Sequence, residues 1–180
     1  MSYLEKSFKF NDGDVIVIGC STGPDSMALV DMLEKIRDKY HLSLIICHVN
    51  HNLRKQSIEV ETMTIEEYGD DNFHNEAHNI RYKFFDNVVN KYKANYLMTA
   101  HHGDDLMETV LMKIVRGSNI LGYSGFRKII DNGNYKVVRP LIELTKKQLE
   151  EYDKENNVKY YIDPPAQPAA SPESGDELWS

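Results

Sequence analysis

Apolar and polar positions along the chain alternate between a strand period and a helix period. Val15–Ile18 is a short β-branched run between Asp12-Gly13 and a Ser/Gly/Pro turn, and it predicts a buried strand. From Asp25 to Lys39 the apolar residues Met27, Leu29, Val30, Leu33 and Ile36 recur at helical spacing. Leu44–Val49 predicts a second buried strand, and Asn75–Tyr92 a helix striped by Ala77, Ile80, Phe84 and Val88. Tyr96–Ala100 reads as a strand. Asp104–Val115 follows as a helix with Leu106, Met107, Val110, Leu111 and Ile114 on its inner face, closed by Arg116-Gly117. Ile129–Ile130 and Tyr135–Val138 flank Asp131-Asn132-Gly133-Asn134, a hairpin signal. Thr145 with Gln148 three residues on is a capping box that opens a last helix.

Strands alternating with helices predict an α/β fold, a mostly parallel twisted sheet with helices on both faces. Ligands of such sheets bind beyond the carboxyl ends of the strands. One stretch resists the pattern. Only about ten residues separate Val49 from the strand-like Val60–Ile65, whereas a parallel crossover takes roughly a dozen or more. Either Val60–Ile65 is no parallel strand, or a crossover helix is absent and the domain is shortened between residues 54 and 60.

The chain has 180 residues, 41% hydrophobic and 27% charged, which predicts one globular domain over residues 1–162. Residues 163–180, rich in Pro, Ala, Ser and acid, predict a disordered tail. No apolar run is long enough to span a membrane, and Met1–Phe10 lacks the apolar core of a signal peptide. Cys20 and Cys47 lie in apolar runs without a CxxC pair, so buried free thiols and a reducing cytoplasm are expected. A net charge of −7 lacks the basic footprint usual in nucleic-acid enzymes.

Three segments carry candidate chemistry. Ser21-Thr22-Gly23-Pro24-Asp25-Ser26 joins the first strand to the first helix. Small residues at a helix start aim backbone N–H groups at one point, and a phosphate is the natural occupant. Asp25 would then hold a Mg²⁺ bridging the phosphates; alternatively Asp25 and the serines only cap the helix. No Gly-Lys-Ser/Thr follows, so this is not a Walker loop.

The second segment, His48-Val49-Asn50-His51-Asn52-Leu53-Arg54, leaves the second strand. Its residues alone allow metal ligands, nucleotide contacts or a polar strand exit. The third, His101-His102-Gly103-Asp104-Asp105-Leu106-Met107-Glu108-Thr109, opens the helix after a strand. Asp105 and Glu108 project from one face of its first turn. Acids there complement the helix dipole, but five polar groups exceed what capping needs. They suit Mg²⁺, recognition of an amine cation, or proton removal from it.

Taken together, these strings resemble the ATP-pyrophosphatase (PP-loop) domain of the tRNA(Ile)-lysidine synthetases. Ser21–Ser26 resembles the family's SGGxDS loop, with Thr22 where glycine is usual. His48–Arg54 resembles HVNHxLR, and His101–Thr109 resembles HHxDDxxET. Arg81-Tyr82, Arg116-Gly117 and Arg139-Pro140-Leu141 extend the match, although His78 stands where an arginine is common. The resemblance implies ATP and Mg²⁺, tRNA(Ile) with a CAU anticodon, and L-lysine, and it allows a homodimer.

It further implies that Ser21, Thr22, Gly23, Pro24, Asp25 and Ser26 hold the ATP phosphates, with Asp25 and Asp105 as metal carboxylates. Asp105 would alternatively act as the base, Glu108 would recognise the incoming lysine, and Arg81 would stabilise developing charge. His48, His51 and His102 would contact nucleotide or substrate. The rival readings are another PP-loop enzyme such as a tRNA thiolase, and a shortened domain that binds ATP or a partner without turnover.

Overall fold

The computed structural model describes residues 2–49, 59–63, 73–115, 117 and 127–161. In chain order they form α1 (Tyr3–Ser7), β1 (Val15–Cys20), α2 (Pro24–Arg37), β2 (Ser43–Val49), β3 (Glu59–Met63), α3 (Phe73–Tyr92), β4 (Tyr96–Thr99), α4 (Gly103–Val115), β5 (Ile129–Asp131), β6 (Lys136–Val138) and α5 (Lys146–Asn156). The six strands make one sheet in the order β3-β2-β1-β4-β6-β5. All pairings are parallel except the β5–β6 edge hairpin, whose turn carries Gly133 at φ 82°.

The expected fold class holds. Period-2 alternation in β1 sends Ile16, Ile18 and Cys20 to one face and Val17 to the other. The first face is covered by α1, α2 and α5 through Leu4, Leu29, Leu33 and Leu149, all fully buried. The second is covered by α3 through Phe85, Val88 and Val89. Both capping boxes are formed, at Thr145/Gln148 before α5 and at Ser2/Glu5 before α1. Helix α1 has no counterpart in the hydrophobic pattern, because five residues are too few to show a period.

The structure decides one open alternative and brings one change. Glu59–Met63 pairs in parallel with β2, in the register Ile46↔Val60 and His48↔Thr62, so this segment is a parallel strand despite its short connection. It sits at the sheet edge with no residue fully buried, tied to α3 by Glu61, which accepts hydrogen bonds from Lys91 and from the Tyr92 hydroxyl. The connecting residues 50–58 lie outside the described residues, as do Ile65 and the tail.

The change concerns α4, whose apolar stripe is not an inner face. None of its residues is buried, and Met107, Leu111 and Ile114 are 62%, 54% and 57% exposed. Leu106 and Val110 are half-buried. Helical periodicity reports that a face is apolar, not that the chain's own sheet covers it. No described helix is long and apolar enough to cross a membrane.

Candidate active site

Strand order reverses between β1 and β4: the chain leaves β1 toward β2 on one side and reaches β4 on the other. Such a switch point opens a crevice at the carboxyl ends of the two strands. The loop after β1 and the loop after β4 exit there side by side, with Gly19 paired to Thr99. Glycine suits this point, since a Cβ would stand 3.0 Å from Phe85 Cζ and press on that ring.

The loop after β1 closes on itself. Ser26 Oγ donates to the Gly23 carbonyl (2.9 Å) and lies 3.3 Å from Ser21 Oγ. Gly23 is the N-cap of α2 and no side chain caps the helix, with Pro24 in its first turn. The buried Oδ1 of Asp25 has no hydrogen-bond partner among the described residues.

Thr22 is buried and left-handed, at φ 67°. A β-branched residue in this region costs about 1–2 kcal/mol, which gives the physical reason glycine suits the position. Its Oγ1 donates to the Ser21 carbonyl (2.6 Å) and its own carbonyl accepts from the Tyr161 N–H (2.9 Å).

Across the crevice, His102 is buried beside three carboxylates, with its Nδ1 3.9 Å from Asp104 Oδ2. Its Nε2 lies 3.6 Å from Asp25 Oδ2 and 3.7 Å from Asp105 Oδ2. Asp105 also accepts the His102 N–H (2.9 Å), so it caps α4 as well as facing the crevice. Asp104 Oδ2 accepts the Lys146 N–H (2.6 Å), joining the start of α4 to the start of α5. Burial raises the Asp25 carboxyl above the usual range and the Asp105 carboxylate adds to this, while His102 and Lys146 oppose it.

His48 is fully buried at the end of β2, its Nδ1 donating to the Cys20 carbonyl at 2.9 Å. Its buried Nε2 has no hydrogen-bond partner. His101 Nδ1 sits 2.8 Å from Thr99 Oγ1, and burial together with the Arg139 guanidinium lowers its pKa. Glu108 and Arg81 are exposed. Glu108 lines a cleft of about 560 Å³ with Asp104, Met107, Leu111, Met112 and Val115. His51 lies outside the described residues, as do Arg54 and Arg116.

Asp153 of α5 gave no sequence signal, because an acid on a polar helix reads as solvated. It is 3% exposed, and neither carboxyl oxygen has a hydrogen-bond partner. Burial, reinforced by Asp25, Asp31 and Glu150, pushes its pKa up to about 6. The unfolded chain, with an ordinary Asp pKa near ~4, releases its proton first, so stability falls as pH rises from about 4 to about 6. Asp153→Ala should abolish that fall and raise stability above pH 6 by on the order of 1–2 kcal/mol. Urea midpoints at pH 4 and 7.5 read both effects; an unchanged pH dependence would contradict this account.

The PP-loop domain model matches residues 2–71 and 57–170, two stretches that overlap around the short connection. The chain belongs to the PP-loop domain family.

This PP-loop chain is similar to proteins named tRNA(Ile)-lysidine synthase. It is 33% identical to that of Clostridium tetani over 91% of the chain and 39% of the relative. The Bacillus cereus protein is 34% identical over 90% of the chain and 38% of the relative. The Bacillus subtilis protein is 31% identical over 89% and 38%. The PP-loop chain thus spans less than half the length of these relatives. Among solved structures, the U34-tRNA thiolase NcsA of Methanococcus maripaludis, with its [4Fe-4S] cluster, superposes with a TM-score of 0.75 at 18% identity. It covers 92% of this chain and 65% of that one, a likeness of fold.

Proposed function

We propose that this PP-loop domain is the ATP-using part of a tRNA(Ile)-lysidine synthetase. It would adenylate cytidine 34 of a tRNA with a CAU anticodon and join lysine to it. The observation that carries the reading is the convergence of the loop after β1 with Asp25, His102 and Asp105 at the β1/β4 switch point. An uncapped helix start and a small-residue loop suit the ATP phosphates.

Mg²⁺ fits the donors present: hard carboxylate oxygens, with Asp25 Oδ1 buried and without a protein partner. Asp25 and Asp105 would hold it, and it would supply neutralisation of phosphate charge. The cytidine O2 attacks the α-phosphorus and pyrophosphate leaves. The lysine ε-nitrogen then attacks C2, and AMP leaves with that oxygen. The amine is protonated at neutral pH, so a carboxylate must first accept its proton. Asp105, where it does not hold the metal, would alternatively be this base, since it lies beside His102 within the crevice.

Glu108, which lines a cleft with Asp104 and with methionine, leucine and valine side chains, suits the ammonium and alkyl chain of lysine. Arg81 would stabilise developing charge. His48, whose buried Nε2 is without a hydrogen-bond partner, would contact the nucleotide, and His51 belongs to the same segment.

A sulfur-transfer function is disfavoured by the thiols. The sequence has two cysteines, Cys20 and Cys47, both buried, and burial pushes the Cys47 thiol up to about 12. Incorporation of labelled lysine into tRNA(Ile) transcripts tests the reaction. Incorporation should require ATP and cytidine 34 and vanish with uridine 34. Incorporation indifferent to residue 34, or none at all with intact tRNA, would overturn it.

A further inference from the structure

The segment that follows α5 returns to the phosphate loop. Helix α5 is docked on α2 by Leu149, by the Tyr152 hydroxyl donating to Asp31 Oδ2 (2.7 Å), and by Lys35 donating to Asn156 Oδ1 (2.6 Å). It ends at Asn157, which is left-handed at φ 52° and donates to the Asp153 and Lys154 carbonyls. Val158 donates its N–H to the Asp153 carbonyl (2.9 Å) and packs against the main core cluster. Both features fix the direction in which the chain leaves the helix. Three residues later the Tyr161 N–H reaches the carbonyl of Thr22 at 2.9 Å.

Thr22 is the loop residue with the least reason to hold its shape. It is β-branched, left-handed and buried. A relaxed φ would rotate the Ser21–Thr22–Gly23 peptides, whose N–H groups lie where phosphate is expected. Among the described residues its own side chain bonds only backward, to the Ser21 carbonyl. The hydrogen bond from Tyr161 comes from outside the loop and acts on the carbonyl whose direction depends on Thr22 ψ.

We infer that Asn157–Tyr161 is a strap that holds Thr22 in its left-handed conformation, making Tyr161, through its backbone N–H, a positioning residue for the phosphate loop. The inference rests on the PP-loop reading for its consequence on ATP, but not for the conformational coupling itself. With glycine in place of Thr22, the left-handed region carries no Cβ penalty and the strap becomes dispensable.

The test is a double-mutant cycle between Thr22→Gly and Tyr161→Pro, which removes the N–H, with Tyr161→Ala as the control that keeps it. In the Thr22 protein, Tyr161→Pro should weaken ATP binding about tenfold, and Tyr161→Ala less than about twofold. In the Thr22→Gly background, Tyr161→Pro should cost less than about twofold. In the nucleotide-free protein, the Met27 amide, which donates to the Gly23 carbonyl, should exchange at least about tenfold faster in Tyr161→Pro than in the parent. Equal losses of ATP affinity in both backgrounds, or unchanged amide protection, would overturn the strap. Absence of ATP binding in every protein, the parent included, would instead overturn the proposed function, and amide exchange alone would then decide the strap.

Discussion

Asp25→Asn should reduce magnesium-dependent ATP–pyrophosphate exchange by about 10²–10³-fold while leaving the fold no less stable than the parent. The two halves of this expectation have one cause. Asp25 stands at the start of α2 with a buried, unpartnered Oδ1 and a second carboxylate, Asp105, nearby. Its ionised form is therefore costly in the absence of ligand, as its raised pKa records. A carboxylate that only capped the helix would show the reverse pattern: its removal would lower stability and spare activity. The amide keeps the shape and discards the charge needed to balance a cation. Exchange assays at saturating Mg²⁺ with parallel urea melts separate the cases. Retained exchange, or clear destabilisation, would contradict the assignment.

Gly103→Ala should destabilise the protein by about 1–3 kcal/mol and cut activity more than about tenfold. A methyl group at the first residue of α4 would crowd its neighbours. A Cβ would stand 3.0 Å from the Leu144 carbonyl oxygen and 3.3 Å from that of Ile142, both backbone atoms of the turn before α5. The Gly103 N–H donates to Leu144 at 2.7 Å, so the clash also strains this hydrogen bond. Relief requires separating the start of α4 from the Arg139–Leu144 turn. That movement carries His102, Asp104 and Asp105 with it, because Asp104 accepts from Lys146 and Asp105 from His102. The turn cannot yield easily: Leu141 is fully buried, and the Pro140 carbonyl accepts from the Tyr3 and Ser7 hydroxyls. Thermal melts and exchange rates of the variant read both effects. A variant with parental stability would show that the turn gives way without cost.

The parts of this molecule legible in its sequence are those decided locally. β-Branched runs such as Val15–Ile18 announce buried strands because nothing else accommodates them, and the Thr145/Gln148 box announces α5 because both partners lie within one turn. The loop and the His101–Thr109 segment were visible for the same reason. What the sequence could not show is decided by residues distant along the chain. Asp153 is one helix acid among several until α2 buries it. Asp104 is one carboxylate in a motif until Lys146 is found on it. The exposure of Met107, Leu111 and Ile114 has a related origin: an apolar stripe names a face but not its cover. The length of the connection to β3 left two alternatives, no parallel strand or a shortened crossover, and only the pairing with β2 separates them.

Thr22 stands between the two kinds. Its departure from the usual glycine was evident in the sequence, but its left-handed φ, and hence the reason for glycine, required the backbone.

In the proposed function, the loop after β1 and the acids after β4 form one ATP site that acts on a tRNA cytidine. The most direct measurement is ATP–pyrophosphate exchange without lysine, comparing tRNA(Ile) transcripts that carry cytidine or uridine at position 34. The account predicts exchange with cytidine 34, none with uridine 34 or without tRNA, and its loss in Asp25→Asn. Exchange that proceeds equally with uridine 34, or persists in that variant, would contradict it.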